Sequence, residues 1–118
     1  MLHDGRCAAQ DPRMSKIVVH NGTVYISGQT DATADNIKEQ TQNTLKKVDD
    51  LLAQAGTSKS NILTASIWLK DINRDFKGMN DVWNAWLDPE NKPVRATVEA
   101  NLARDILLVE VQVTAAKV

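Results

Sequence analysis

The chain has 118 residues, of which 42% are apolar and 25% charged, a balance that fits one globular domain and excludes a disordered chain. The formal net charge is −1 and charges of both signs are interspersed, which disfavours binding to nucleic acid or to an anionic membrane. No apolar run approaches the ~20 residues that cross a bilayer, and the N-terminus lacks the apolar core of a signal peptide, so we expect a cytoplasmic protein.

The first recognisable element is a β-hairpin. Residues 1–11 show no periodicity and are predicted to be an irregular tail, followed by one domain over 12–118. Within residues 16–28, two runs rich in β-branched side chains flank the dipeptide Asn21-Gly22. This dipeptide suits the positive φ angles of a type I′ turn, which joins antiparallel strands.

Two helices and an intervening strand follow the hairpin. Apolar residues at helical spacing predict a first helix that starts near Ile37 and ends before Gly56, a residue suited to the position after a helix C-terminus. Residues 62–70 are rich in large apolar and β-branched side chains, as in a strand buried on both faces. A second apolar stripe predicts a helix over about residues 75–86.

The last part of the chain contains two strands with strict alternation. Residues 94–100 have one apolar face, which we expect to contact the core, and one polar face that carries Arg95 and Thr97. Residues 106–115 alternate in the same way, with Glu110 on the polar face.

The predicted order is ββαβαββ, which indicates an α+β fold with an antiparallel or mixed sheet and both helices on one sheet face. The other sheet face would carry apolar and uncharged side chains and would need a cover. Self-association is the simplest cover, although the pattern does not specify the number of subunits.

Arg95 and Glu110 are the candidate functional residues. The chain has no metal-binding or phosphate-binding motif, so no metal and no cofactor are predicted. A guanidinium held by a strand can make two parallel hydrogen bonds to a carboxylate, and a partly buried glutamate can hold or deprotonate a water molecule. A structural ion pair of Arg95 with Glu99 or Glu110 is the alternative interpretation.

Two short motifs resemble the C-terminal signature of the YjgF-like (Rid) family. They are PVRATVE at residues 93–99 and VEV at 109–111, and the sequence Ser-Gly-Gln around Gly28 also fits. The similarity extends over about residues 12–116. The resemblance implies a chorismate-mutase-like subunit and a homotrimer in which the sheets form a central barrel and three clefts lie between subunits.

The resemblance also implies a reaction, the hydrolysis of 2-imino or enamine acids to 2-keto acids and ammonia without a cofactor. Arg95 would bind the carboxylate of the small imino or keto acid, helped by backbone near Gly28, and Glu110 would position the attacking water. Thr97 stands where many relatives have a cysteine and can donate a hydrogen bond. The family's N-terminal aromatic near the cleft is missing here, and Arg13 occupies that region instead. Arg13 is predicted to favour a dicarboxylic or otherwise anionic ligand or, alternatively, to pair across the subunit interface.

Two other functions stay open at this stage. A non-enzymatic metabolite binder or regulator would use the same Arg95 pocket for a carboxylic acid without turning it over. An endoribonuclease is disfavoured, because the chain lacks a basic surface interleaved with aromatic residues. Trp68, Trp83 and Trp86 are predicted to pack in the core, since two share a helical stripe and the third lies in an apolar strand.

Overall fold

The computed structural model describes residues 4–7 and 11–118. The strands are β1 (Gly5–Cys7), β2 (Ile17–His20), β3 (Thr23–Ile26), β4 (Ile62–Leu69), β5 (Val94–Glu99) and β6 (Val109–Ala116). The helices are α1 (Ile37–Gln54) and α2 (Ile72–Trp86), and a short 3₁₀ turn lies at Lys59–Asn61. One mixed sheet has the spatial order β1-β2-β3-β6-β4-β5, in which only β4 and β5 are parallel neighbours.

The predicted hairpin is confirmed and is extended by one strand. Asn21 and Gly22 have φ angles of 50° and 79°, as a type I′ turn requires. β1 pairs antiparallel with β2, and the Lys16 N–H donates to the Cys7 carbonyl at 2.6 Å. The prediction that residues 1–11 are irregular is therefore wrong for β1, because a strand of three residues is too short to show a period of two.

Helix α1 begins and ends at local signals in the sequence. The Asn36 side chain accepts a hydrogen bond from the Glu39 N–H at 2.9 Å, a cap that contributes about 1 kcal/mol in comparable helices. Gly56, with φ of 79°, follows the C-terminal end as predicted.

Helix α2 begins at Ile72, three residues earlier than predicted. Two carboxylates satisfy amides of its first turn: Asp71 accepts from the Arg74 N–H at 3.1 Å, and Glu99 accepts from the Ile72 N–H at 3.0 Å. Ile72 lies four residues before Phe76 and packs against the core, so the apolar stripe extends into this turn and the predicted start was one turn too late. The predicted end at Trp86 is confirmed.

Both helices pack on one face of the sheet, as predicted. The shared core includes Leu45, Val48 and Leu52 of α1, Met79 and Trp83 of α2, and the alternate residues Val109, Val111 and Val113 of β6. The opposite face, which we call the open face, exposes Tyr25 (45%), Val94 (69%) and Val98 (50%). An exposed apolar surface of this kind marks a face that other proteins cover by association.

The orientation predicted for β5 is wrong. Its apolar residues Val94 and Val98 lie on the open face, whereas Arg95 and Thr97 lie on the face that the helices cover. β5 is an edge strand, and the residue of α2 that packs against it is Trp83, which contacts Arg95. Alternation in the sequence establishes two faces but does not say which of them meets a helix.

The final strand begins at Val109 rather than at Ile106. The side chain of Gln40, which is fully buried, makes the hydrogen bonds that a strand neighbour would otherwise make there. Its Nε2 donates to the carbonyls of Ala34 (2.9 Å) and Ile106 (2.8 Å), and its Oε1 accepts from the Leu108 N–H (2.8 Å). The apolar run before Val109 therefore forms a loop that is fastened to α1.

Candidate functional site

Arg95 is held against helix α2. Its Cα partner on β4 is Ala65, whose partner on β6 is Val113, and both are buried on the helix-covered face. The Arg95 Nη1 donates to Asn80 Oδ1 at 2.7 Å, and the guanidinium carbon lies 5.4 Å from the centre of a Trp83 ring. Two side chains of one helix therefore orient the guanidinium.

The guanidinium has no carboxylate partner among residues 4–7 and 11–118. Glu99, one of the two predicted ion-pair partners, instead accepts a hydrogen bond from the backbone N–H of Ile72. Partial burial lowers the pKa of Arg95, because burial disfavours the charged form, but an arginine stays cationic at neutral pH. Arg95 is thus a partly desolvated cation whose Nε and Nη2 groups have no acceptor in the described part of the chain.

Thr97 adds a second unused polar group on the same side of β5. It lies two residues after Arg95 and pairs with the buried Ile67 of β4, so its side chain is on the helix-covered face. Its Oγ1 is buried and has no hydrogen-bond partner within the described ranges. Such a group costs about 1–3 kcal/mol in other proteins, and Thr44 Oγ1 in the core is buried and unpartnered in the same way.

Glu110 and Gly28 lie together on the open face. Glu110 pairs with Trp68 of β4, which in turn pairs with the exposed Val98 of β5. A Cβ atom added at Gly28 would overlap with Glu110 Oε2 and would lie 3.1 Å from its Cδ. The backbone of Gly28 can approach the carboxylate this closely only because the residue has no side chain.

The turn around Gly28 is fixed by its neighbours. Gln29 and Val111 exchange backbone hydrogen bonds at 2.8 and 3.0 Å, and the Gln29 Nε2 donates to the Ser27 carbonyl at 3.0 Å and to its hydroxyl at 3.1 Å. No described residue accepts a hydrogen bond from the Gly28 N–H. The Gly28 N–H is therefore a free backbone donor within a turn whose backbone lies against Glu110.

The sheet separates these residues into two clusters. We call Arg95, Thr97, Asn80 and Trp83, on the helix-covered face, the arginine cluster, and Glu110 with Gly28, on the open face, the glutamate cluster. The registers of β4 with β5 and with β6 place the two clusters on opposite faces. A single chain therefore does not bring Arg95 and Glu110 together.

Arg13 belongs to neither cluster. Its Nε lies 3.2 Å from Asp11 Oδ1, and its side chain is 78% exposed. The hydrogen bonds from Arg13 hold the pKa of Asp11 below its usual value. In the described part of the chain, Arg13 contacts no other predicted site residue.

Neither a metal site nor a membrane-spanning helix is found in the residues that the structure describes. These residues contain no group of three or more His, Cys, Asp and Glu side chains able to hold a metal ion. None of the helices within these residues has the length and apolar composition needed to cross a bilayer.

The sequence and the fold are both similar to those of known proteins. The family model described as Endoribonuclease L-PSP matches residues 8–117. The RutC family protein YoaB of Escherichia coli K12 is 42% identical over 106 residues, which cover 90% of this chain and 92% of that protein. The chain belongs to the YjgF family, also described as RutC or L-PSP.

Solved structures of YjgF-family proteins agree with the fold. NMB1025 of Neisseria meningitidis superposes with a TM-score of 0.92 at 38% identity, covering 97% of this chain and 94% of that one. The Rid-family protein YyfA of Yersinia pestis, described as of unknown function, has a TM-score of 0.84 at 30% identity, covering 94% and 93%. The resemblance seen in the sequence and the α+β fold are confirmed, whereas the names do not agree on one reaction.

Two members of the arginine cluster were not predicted as site residues of this YjgF-family chain. Asn80 and Trp83 lie three residues apart on α2, so they share one face of the helix. Asn80 is a polar residue directly after Met79, in the apolar stripe of that helix. A polar side chain in such a position, one turn before a tryptophan, is the signal that would have identified the pair.

A groove of about 470 Å³ lies between α1 and α2, but it contains none of the predicted site residues of the YjgF-family chain. Four of its side chains are paired with one another: Lys38 Nζ lies 3.5 Å from Asp81, and the Trp86 Nε1–H donates to Asp49 at 2.9 Å. We therefore assign the chemistry to the two clusters rather than to this groove.

Replacing Gly28 with alanine is expected to reduce the activity of the protein while preserving its fold. The added methyl group meets the flexible end of Glu110, so the carboxylate will move while the backbone stays in place. We expect a loss of at least about tenfold in kcat/KM and a change in the free energy of unfolding below about 1 kcal/mol. Steady-state kinetics and urea unfolding measure the two effects, and unchanged kcat/KM would contradict a role for this contact.

Proposed function

We propose that this protein hydrolyses reactive 2-imino or enamine acids to 2-keto acids and ammonia. The observation that carries the proposal is the state of Arg95, a partly buried cation that Asn80 and Trp83 orient and that has no described carboxylate partner. A desolvated charge is costly unless an anion binds it, and the planar donors of arginine match a carboxylate.

We further propose that each site draws on two copies of the chain in a homotrimer with a central barrel. Arg95 and Glu110 lie on opposite sheet faces, so a cleft between subunits is needed to unite the arginine cluster of one copy with the glutamate cluster of the next. Support for association comes from the open face, where Val94 and Val98 of an edge strand are exposed.

In the proposed mechanism, Arg95 binds the substrate carboxylate and sets the position of the adjacent C=N carbon. The Thr97 hydroxyl and the Gly28 N–H supply further hydrogen bonds to the ligand, and Arg13 would have to leave Asp11 to reach it. These contacts provide orientation, which accounts for much of the catalysis that an already electrophilic carbon requires.

Glu110 holds the water that attacks this carbon. As the C–O bond forms, the π electrons of the C=N bond move to nitrogen, and Glu110 passes a proton from the water to that nitrogen. In the resulting carbinolamine, Glu110 passes the hydroxyl proton to the nitrogen, the C=O bond forms as the C–N bond breaks, and ammonia leaves. One imino acid and one water thus give one keto acid and one ammonia. An enamine first takes a proton on carbon to become the imine.

The proposal is tested with imines generated in situ. An amino-acid oxidase supplies 2-imino acids, semicarbazide traps the imine that survives, and keto-acid release is followed over time. We expect the protein to accelerate keto-acid release and to lower the amount of trapped imine.

The matched control is an imine without a carboxylate, generated from a primary amine by an amine oxidase. We expect no acceleration there, because Arg95 has no group to bind. A lack of acceleration with several 2-imino acids would contradict the proposed reaction and would favour a protein that binds carboxylic acids without turnover.

A further inference from the structure

Trp83 lies directly against the guanidinium of Arg95. The Trp83 side chain is only 4% exposed, and its ring centre is 5.4 Å from the Arg95 Cζ, within the range of a cation–π contact. Asn80, one turn earlier on the same face of α2, accepts the 2.7 Å hydrogen bond from Nη1. One contact restricts the plane of the guanidinium and the other restricts its rotation within that plane.

The ring of Trp83 is itself held in place by a second indole. Trp83 and Trp86 have ring centres 5.4 Å apart and planes tilted by 48°. The Trp86 Nε1–H donates to Asp49 Oδ2 of α1 at 2.9 Å, and Lys59 Nζ lies 5.4 Å from the Trp86 ring centre. The Trp83 ring that contacts Arg95 is therefore held in place by contacts that involve both α1 and α2.

We infer that Trp83 is a positioning residue for Arg95, which holds the guanidinium ready to receive a carboxylate before the ligand arrives. The inference rests on the proposed function only in taking a carboxylate as the ligand. An arginine side chain loses rotational freedom when it binds an anion, and this cost falls when the side chain is already ordered. Because Asn80 occupies Nη1, the Nε and Nη2 donors are left for the ligand.

The first test needs no ligand and is independent of the proposed function. NMR relaxation of the Nε–H group measures the order of Arg95 in the native protein, in Trp83→Phe and in Trp83→Leu. We expect a rigid Nε–H in the native protein and in Trp83→Phe, which keeps an aromatic face, and a mobile one in Trp83→Leu. An equally rigid Arg95 in folded Trp83→Leu would overturn the inference.

If Trp83→Leu does not fold, the same measurements can be made with a fluorinated tryptophan at position 83. Fluorine atoms on the ring weaken its negative face and hardly alter its shape. A trifluorotryptophan placed at position 83 alone is expected to loosen Arg95 and to weaken carboxylate binding, which a purely structural role in packing would not do. Unchanged order and unchanged binding would contradict the inference.

The second test measures binding of pyruvate, used as a probe 2-keto acid. We expect Trp83→Leu to weaken pyruvate binding about 3- to 30-fold, as the loss of a cation–π contact predicts. The matched control Phe76→Leu removes an exposed aromatic ring from the same helix, one that makes neither the cation–π contact nor the hydrogen bond to Arg95, and should weaken binding less than about twofold.

A double variant separates the inference from the proposed function. If Trp83 acts through Arg95, adding Trp83→Leu to Arg95→Ala should not weaken pyruvate binding further. An equal loss in both backgrounds would overturn the positioning role. If Arg95→Ala alone leaves pyruvate binding unchanged, the carboxylate anchor of the proposed function fails, while the NMR result still decides the role of Trp83.

Discussion

Mixed trimers of the Arg95→Ala and Glu110→Ala proteins are expected to recover activity that neither variant has alone. Each single change should lower kcat/KM at least about 100-fold, because hydrogen bonds to a charged group contribute about 1.5–3 kcal/mol each. The two residues lie on opposite sheet faces, so a cleft between copies takes one from each chain. A cleft formed by the right pair of variant chains would then contain both native residues.

Simple statistics set the size of the recovery. A cleft is native only when the chain that contributes Arg95 is the Glu110→Ala variant and its neighbour is the Arg95→Ala variant, which occurs for about one cleft in three in every mixed trimer. The variants carry different affinity tags and are refolded together, and mixed trimers are isolated before steady-state assay. We therefore expect about a third of the native activity in the isolated mixed trimers.

The matched control is a mixture of Arg95→Ala with the Arg95→Ala/Glu110→Ala double variant. No cleft in that mixture contains Arg95, so no recovery is expected. Inactive mixed trimers of the two single variants, verified by native mass spectrometry, would show that the site is not divided between chains in the proposed way. A monomeric mass in light scattering would contradict the trimer itself.

Replacing Gln40 with leucine is expected to cause a large loss of stability. Gln40 is fully buried, and its amide satisfies the Ala34 and Ile106 carbonyls and the Leu108 N–H. Leucine fills a similar volume but leaves these backbone groups without their partner, at a cost of about 1–3 kcal/mol for each one that stays buried. Since Ile106 is partly exposed, we expect a total loss of about 2–4 kcal/mol.

Urea unfolding at one protein concentration measures this loss, because assembly would make stability depend on concentration. The matched control is Gln42→Leu, the same substitution on the exposed face of the same helix. We expect the control to change the free energy of unfolding by less than about 0.5 kcal/mol. A similarly small change for Gln40→Leu would show that these hydrogen bonds do not stabilise the fold.

Local sequence signals were sufficient for most of the secondary structure. The Asn21-Gly22 turn and the helix end at Gly56 depend on the backbone angles of one or two residues, so their chemistry is visible without the rest of the chain. Apolar periodicity predicts the helices α1 and α2, and in the fold the sheet covers the apolar face of each helix. The start of α2 was missed because the prediction did not follow the stripe back to Ile72 and did not recognise Asp71 as the cap of that turn.

The site was predicted only in part, for a reason that lies in strand pairing. Alternation identified Arg95 and Glu110 as members of the polar sets of their strands, and the resemblance to YjgF-like proteins linked them to one reaction. Whether the polar residues of β5 and those of β6 share a sheet face depends on how each strand is paired with β4. Ala65 pairs with Arg95 and Trp68 pairs with Glu110, and neighbouring residues of the sequence Ala65 to Trp68 alternate between the two faces. A shift of one residue would reverse the faces, and nothing within either strand specifies it.

The amino-acid sequence was enough to establish the family, the α+β class, the hairpin and both helices, because these depend on short-range chemistry and on motifs within single elements. Only the tertiary structure showed that β6 lies between β3 and β4, that Gln40 bridges residues distant in sequence, and that α2 orients Arg95 through Asn80 and Trp83. These features join elements far apart along the chain, and their energies arise only when the whole core packs at once.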